Sequence, residues 1–206
     1  MENKYWYEVH ITVELFPLGM DLFLKICNQL YVKAITINLE QKPNQIIQQD
    51  VMTSSKHYGS YDEVYAYAVA IGKTLKDFGF KILRVKIESE PLHEKSPKEI
   101  GDIMPDGLYF ESHIAFLIQK SQRELLQDVA IRGGARISRN PLKTTDQGMV
   151  VMVTLRDYEA PFVVFSQKLQ KLLQLTSSAQ FIPYKKIEVE FAIYDSNYEH
   201  DIQWIR

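Results

Sequence analysis

The chain has 206 residues, and its 46% hydrophobic and 12% aromatic content is that of a folded globular protein rather than a disordered one. With 24 Lys and Arg residues against 26 Asp and Glu residues, the net charge is −2, which excludes a strongly basic nucleic-acid-binding protein. The single cysteine, Cys27, excludes a disulfide framework and a cysteine-rich zinc site. No apolar run is long enough for a spanning helix, so we expect a reduced, cytoplasmic protein.

The first ninety residues alternate between strand and helix periodicity. Val9, Ile11 and Val13 alternate with polar residues, as in a half-buried strand. By the same criteria, the sequence predicts strands at 5–15, 32–39, 50–55 and 80–90, helices at 19–30 and 61–78, and a polar loop at 40–49. This β-α-β-β-α-β order is that of a ferredoxin-like unit.

The second half repeats this order. The sequence predicts strands at 108–118, 135–140, 148–156 and 184–194, and helices at 120–131 and 160–175. Residues 91–107 contain three prolines and two glycines, which indicates a connector between the halves. The tail that follows the last strand is expected to dock on the body of the protein.

Short segments of the two halves also match in sequence. Residues 7–11 (Tyr-Glu-Val-His-Ile) parallel residues 110–114 (Phe-Glu-Ser-His-Ile), with the two histidines 103 residues apart. Residues 51–53 parallel 152–154, and residues 85–88 parallel 187–190. Collinear matches at nearly constant spacing indicate an internal duplication. We therefore predict an α+β fold of two tandem ferredoxin-like (βαββαβ) units, packed as one compact body: 1–90, a connector at 91–107, and 108–206 with a C-terminal docking tail.

Alternation within the strands predicts which polar residues share a face. Helices should cover the apolar face of each sheet, so that His10 lies on the open face with Glu8 and Thr12. Candidate ligand-binding residues on the open faces of the two sheets are Glu8, Thr12, Lys86 and Glu88 in the first unit and Glu111 and Glu188 in the second, with Glu190 on the same strand face. If the two open faces meet, these residues line a polar cleft, which is a reasonable default binding site.

His10 and His113 are the candidate catalytic residues, because histidine titrates near neutral pH and two facing histidines can act as general acid and general base. The segment His10-Ile11-Thr12 resembles the His-x-Thr signature of the two-histidine phosphoesterases, which are duplicated proteins with one motif in each lobe. The resemblance covers only these residues, and the second copy has Ala115 at the hydroxyl position. It implies a phosphoester hydrolase that uses His10 and His113.

A divalent metal site is an alternative interpretation of the same residues. Glu8 and His10 are two positions apart on one strand, as are Glu111 and His113, so each pair projects to one side. Carboxylate and imidazole groups are ordinary ligands of divalent metals. These four residues are the predicted metal ligands.

The basic segment from Arg132 to Lys143 is a second candidate site. Arg132, Arg136 and Arg139, with two glycines between them, have the composition of a site for a phosphate or carboxylate. The alternative is a helix end followed by a solvated edge strand.

These observations favour a protein that binds a small anionic or phosphorylated ligand, with or without a divalent metal, in a cleft between duplicated units. The alternatives are a two-histidine phosphoester hydrolase and a non-enzymatic module that binds a protein partner or forms a homodimer. The acidic open face argues against nucleic acid, and no membrane contact is expected. The sequence leaves open whether the protein is an enzyme.

Overall fold

The computed structural model of the chain describes residues 3–42, 45–140, 144–145, 148–185 and 187–205. This part of the chain contains nine strands and five α-helices. The strands are β1 Tyr5–Glu14, β2 Lys33–Lys42, β3 Gln45–Gly59, β4 Lys81–Ser89, β5 Tyr109–Ile118, β6 Arg136–Arg139, β7 Thr144–Thr145, β8 Gly148–Asp157 and β9 Glu188–Asp195. The helices are α1 Gly19–Gln29, α2 Tyr61–Asp77, α3 Arg123–Arg132, α4 Phe162–Ser178 and the short α5 Ile202–Ile205.

Eight of these strands form a closed antiparallel barrel. The order around the barrel is β5-β9-β4-β1-β3-β2-β6-β8, and β8 pairs back with β5 over its whole length. β7 is outside the ring and pairs with β8. Side chains therefore alternate along each strand, with one set directed toward the helices outside and the other toward the barrel interior.

The prediction of two tandem ferredoxin-like units is wrong, because the two halves share one continuous sheet. β2 pairs with β6 through Asn38 and Arg139, and β4 pairs with β9 through Lys86 and Asp195. Each pairing satisfies the backbone groups of what would otherwise be an exposed edge strand. Periodicity indicates the strands of each half but not which edges pair across the halves.

The predicted polar loop at 40–49 is also largely strand. β2 continues to Lys42, and β3 begins at Gln45 and runs for 15 residues. Polar residues occur in this hairpin because its side chains lie near an end of the barrel, where Gln48 contacts Asp50 and His200. The alternation rule that identifies half-buried strands therefore does not detect it.

The main hydrophobic core lies between the barrel wall and the surrounding helices. On β1, Val9, Ile11 and Val13 are buried in this core. α2 begins at a capping box made by Ser60 and Glu63, which satisfies free N–H groups of its first turn. Its buried residues recur at helical spacing, so that one face packs on the sheet: Val64, Ala68, Ile71 and Leu75. None of the described helices is long and apolar enough to cross a membrane.

The C-terminal tail lies across one end of the barrel. Trp204 donates a hydrogen bond from Nε1 to the Ile137 carbonyl at 3.0 Å and packs with Leu39 in a small second core. His200 contacts Asp50 at 2.9 Å. We call this the plugged end. Among the described residues, no comparable tail covers the opposite end, where β1 begins and β5 ends, and we call it the open end.

Asp201 makes the tail part of a buried ion network. Its carboxylate lies 3.1 Å from Arg84 Nη1 and 2.7 Å from Arg156 Nη1. All three side chains are at most 6% exposed. Removing one partner of a buried ion pair leaves an uncompensated charge.

We therefore expect Asp201→Ala to lower the free energy of unfolding by about 3 kcal/mol. The measurement is urea denaturation followed by circular dichroism. Glu199→Ala, an exposed position on the same tail, is the matched control and should change stability by no more than about 0.5 kcal/mol. Equal stability of the two variants would show that the tail contacts do not stabilise the barrel.

Candidate functional site

Strand pairing brings the polar residues of β1 together with those of its neighbours inside the barrel. His10 lies opposite Ser54 on β3 and Lys86 on β4. Glu8 lies opposite Lys56 and Glu88 on the same two strands. Directly opposed residues project to the same side of a sheet, so these side chains share the inner face.

The second half has the same arrangement around β5. His113 lies opposite Thr154 on β8 and Glu188 on β9, and Glu111 lies opposite Arg156 and Glu190. Each half therefore places a Glu-x-His segment between a strand that carries hydroxyl and basic groups and a strand that carries glutamates. The internal duplication remains a prediction, and this correspondence supports it.

Each histidine lies between two carboxylates. His10 Nε2 is 3.1 Å from Glu88 Oε2 and 3.6 Å from Glu8 Oε1, and these three residues form the first Glu–His–Glu cluster. Nδ1 of His10 donates to the Thr53 carbonyl at 3.3 Å.

The second Glu–His–Glu cluster consists of Glu111, His113 and Glu190. Nε2 of His113 is 3.5 Å from Glu111 Oε2 and 3.9 Å from Glu190 Oε2. Its Nδ1 is 3.0 Å from Thr154 Oγ1. Both histidine rings are therefore oriented through Nδ1, with Nε2 directed at carboxylates.

Lys86 joins the two clusters. Its ammonium nitrogen lies 2.7 Å from Glu88 Oε1 and 3.0 Å from Glu111 Oε2. Arg156 then connects Glu111, at 2.7 Å, to Asp201 of the tail. One chain of ion pairs thus runs from the open end to the plugged end.

The two clusters differ in accessibility along this chain. The side chains of Glu88 and Glu111 are 1% exposed, whereas His10 is 14% and His113 25% exposed. Glu190 is 18% exposed and Glu8 is 17% exposed. The partly exposed members are therefore the groups that a molecule entering the open end can reach.

The pKa values of the corresponding glutamates Glu88 and Glu190 shift in opposite directions. Burial raises the pKa of Glu88, but Lys86 and then His10 outweigh burial and lower it to about 2. Burial and then the negative charge of Glu88 raise the pKa of Glu190 to about 8. The physical difference is the distance to a cation, because Lys86 lies 2.7 Å from Glu88 whereas His113 lies 3.9 Å from Glu190.

His113 is a cation at neutral pH in this environment. Burial lowers its pKa, but the adjacent Glu111 outweighs burial and raises it to about 9. The second cluster therefore holds a protonated imidazole beside a carboxyl group that is itself largely protonated. Two groups with such displaced pKa values are suited to proton transfer.

No protein-family model matches the chain, and no curated protein matches it in sequence. Among solved structures, a chlorite dismutase variant from Candidatus Nitrospira defluvii is 9% identical with a TM-score of 0.29, covering 98% of this chain and 95% of that one. The acetolactate synthase small subunit from Thermotoga maritima is 11% identical with a TM-score of 0.30, covering 89% and 92%. An anthrone oxidase-like protein is 9% identical with a TM-score of 0.30, covering 94% and 93%. Similarities this low carry no argument about the function of this chain.

The predicted metal ligands fall into different groups in the structure. Glu88, Glu111 and His113 have ligand atoms that all lie within 4.8 Å of one another. The predicted set contained Glu8 and His10 in place of Glu88. Thr12 faces the interior beside Met52 and Arg84 and is 2% exposed, deeper than His10.

The three arginines of the basic segment are not brought together. Arg132 is exposed at the end of α3, and Arg139 lies 3.7 Å from Glu40. Arg136 pairs with Thr154 on the inner face, and its guanidinium donates to the Ala135 carbonyl. Lys143, the last residue of the segment, lies outside the described residues.

Sequence reasoning did not identify four residues of the ion network: Arg84, Arg156, Asp195 and Asp201. Arg156 lies opposite Glu111, just as Lys56 lies opposite Glu8. The pattern that could have identified Arg156 is therefore a basic residue two positions after a hydroxyl residue on the strand beside each Glu-x-His segment. That signal requires the strand register, which the sequence does not provide.

The raised pKa of Glu190 predicts a pH-dependent loss of stability. The pKa of this carboxyl group is about 8 in the folded protein and about 4.3 in the unfolded chain. Its contribution to the free energy of unfolding is therefore complete below pH 4 and is lost as the pH rises through 8. We expect the stability of the wild type, relative to Glu190→Gln, to fall on the order of 2 kcal/mol between pH 5 and pH 9.

The measurement is the free energy of urea unfolding of both proteins at pH 5, 7 and 9. Glu188→Gln, an exposed glutamate on the same strand, should follow the wild type at each pH. A difference between wild type and Glu190→Gln that does not vary with pH would contradict the assignment.

Proposed function

We propose that this protein binds a small molecule at the open end of its barrel, with the two Glu–His–Glu clusters as the polar contacts. The observation that carries the proposal is that both clusters meet in one ion-paired network and keep His10, His113, Glu8 and Glu190 partly exposed. A buried charged network that is also accessible at one end is a common property of binding and catalytic sites.

Among the ligand classes that the sequence suggested, a phosphorylated ligand has the least support. The carboxylates of the clusters would repel a phosphate group, and the three arginines lie apart from one another. The same repulsion weakens the hydrolase alternative, which also needs access to Thr12. The interaction-module alternative rests on a different surface, the apolar groove between α2 and strands β4 and β9 that includes Val69 and Tyr194.

If the open end binds ligands, replacing either histidine should weaken binding without unfolding the protein. We expect at least one member of a panel of divalent cations, amines, carboxylates and phosphates to raise the melting temperature of the wild type. A ligand at 100 times its Kd stabilises by about 2.7 kcal/mol. His10→Asn and His113→Asn should each reduce that increase.

His57→Asn is the matched control, because His57 lies on β3 at the helix-covered side, where it contacts Tyr67. This variant should respond to the panel as the wild type does. A panel without any stabilising member, or an increase that survives both cluster variants, would refute the proposal.

A divalent metal is the second candidate ligand, because Glu88, Glu111 and His113 form a compact set of oxygen and nitrogen donors. The ammonium group of Lys86 lies within 3.0 Å of both carboxylates and so provides the positive charge that a metal would supply. A metal must therefore compete with this lysine for the same oxygens.

We expect Lys86→Met to bind Mn²⁺ or Zn²⁺ about tenfold more tightly than the wild type in calorimetric titration, since the competing cation is removed. Adding Glu111→Gln to that variant should abolish the gain, and Lys56→Met, which removes an exposed lysine, should leave affinity unchanged. Equal affinity of the wild type and Lys86→Met would exclude a metal site at this position.

A further inference from the structure

The open end also has an apolar wall. Met52 lies opposite Thr12 and Ile35, so these residues share the inner face with His10. The inner-facing apolar side chains toward the open end are Ile35, Met52, Leu117, Val150 and Met152, which we call the apolar arc. Strand alternation on β5 connects this arc to His113, because Leu117 projects to the same side.

The apolar arc is not part of either hydrophobic core. Its five members are absent from both the main core under the helices and the small core around Trp204. Each is only half-buried, although it faces the inside of a closed barrel. Apolar surface of this kind is available to a ligand, because its burial would release water that now contacts it.

The acidic side of the interior faces this arc. In the strand order, β2, β6 and β8 are on the far side of the barrel from β9, β4 and β1. The pKa of Lys56, on β3, is raised by Glu8 and, more weakly, by Glu188 and Glu190 of β9, so this lysine belongs to the charged side. The interior at the open end is therefore divided into one apolar and one charged wall.

The charged wall favours a positive ligand group. At its accessible surface are Glu8, Glu188 and Glu190. Lys56 lies 3.3 Å from Glu8, and the positive charges of His113 and Lys86 are paired with Glu111 and Glu88. At the rim, the rings of Trp6 and Tyr58 lie 5.4 Å apart, and both residues are 60% exposed. Exposed aromatic faces attract cations as well as apolar groups.

We propose that the open end binds an organic amine with an apolar body, its ammonium group at Glu190 and its hydrocarbon or aromatic part on the apolar arc. This inference rests on the proposed function and specifies its ligand class. The flexible methionines of the arc can adjust to bodies of different shape.

The test compares three probes that share one aromatic body and differ in the polar group: phenethylamine, phenethyl alcohol and hydrocinnamate. Binding is followed through the ¹³C methyl signals of the methionines, assigned with Met52→Leu and Met152→Leu. We expect the signals of Met52 and Met152 to shift and that of Met20, in the main core, to stay unchanged. Phenethylamine should bind about tenfold more tightly than the alcohol, and hydrocinnamate more weakly than either.

Two variants separate the ligand class from the location. Glu190→Gln should reduce the affinity for the amine about tenfold and leave the affinity for the alcohol unchanged. Met152→Asn should weaken the binding of all three probes. Val69→Asn, in the groove beside α2, is the matched control and should change none of them.

The outcomes distinguish this inference from the proposed function. If the alcohol or hydrocinnamate binds as tightly as phenethylamine or more tightly, and Met152→Asn still weakens that binding, the open end remains the binding site but its ligand is not an amine. No saturable binding by any of the three probes, or binding that only Val69→Asn weakens, overturns this inference. The proposed function is then decided separately, by the panel of ligands and the two histidine variants.

Discussion

Closing the sheet encloses the polar faces of eight strands in one interior, where water no longer hydrates most of their charges. Burial of an unpaired charge costs several kcal/mol, so each ionic group in the interior requires a partner. Arg84, Lys86 and Arg156 each contact at least two acidic side chains. The tail supplies Asp201 to two of these cations, so the barrel and its plug stabilise each other.

The two halves of the barrel share geometry but not charge. Glu8 and Glu111 occupy corresponding positions, as do Glu88 and Glu190, yet only the first half has a lysine opposite its histidine. That lysine neutralises Glu88 and also reaches Glu111 in the second half. Glu190 lies 3.9 Å from His113, and burial together with the negative charge of Glu88 raises its pKa to about 8. The residue opposite each histidine, Lys86 in the first half and Glu188 in the second, is thus a difference in charge between two clusters of similar geometry.

The order of helices and strands could be predicted from the sequence because it depends on local periodicity. The inner position of His10, Glu8 and Lys86 follows from alternation in the same way. The closed barrel could not be predicted, since it depends on β2 pairing with β6 and β4 with β9, contacts between residues about a hundred positions apart. Local pattern contains no information about which edges meet.

Register explains the errors at the level of single residues. The sequence match aligned Thr53 with Thr154, but Ser54 is the residue opposite His10, and Thr154 is the one opposite His113. A shift of one residue moves a side chain to the other face of a strand. The same rule separates Arg136 from Arg139, which are three positions apart on β6 and so point to opposite sides. Because the two arginines are close in sequence, they have the composition of a binding site. Strand alternation nevertheless places them on opposite faces of the sheet.

The size of the barrel limits what the open end can hold. An eight-stranded barrel has an interior just wide enough to be filled by side chains or to hold one small ligand. Here the ion network and the tail fill the plugged end, with Trp204 buried against Leu39. The side chains of the apolar arc, by contrast, remain half-buried at the open end. A ligand bound there as proposed would therefore be a single small molecule that contacts both walls at once, and its charge would have to match the charged wall.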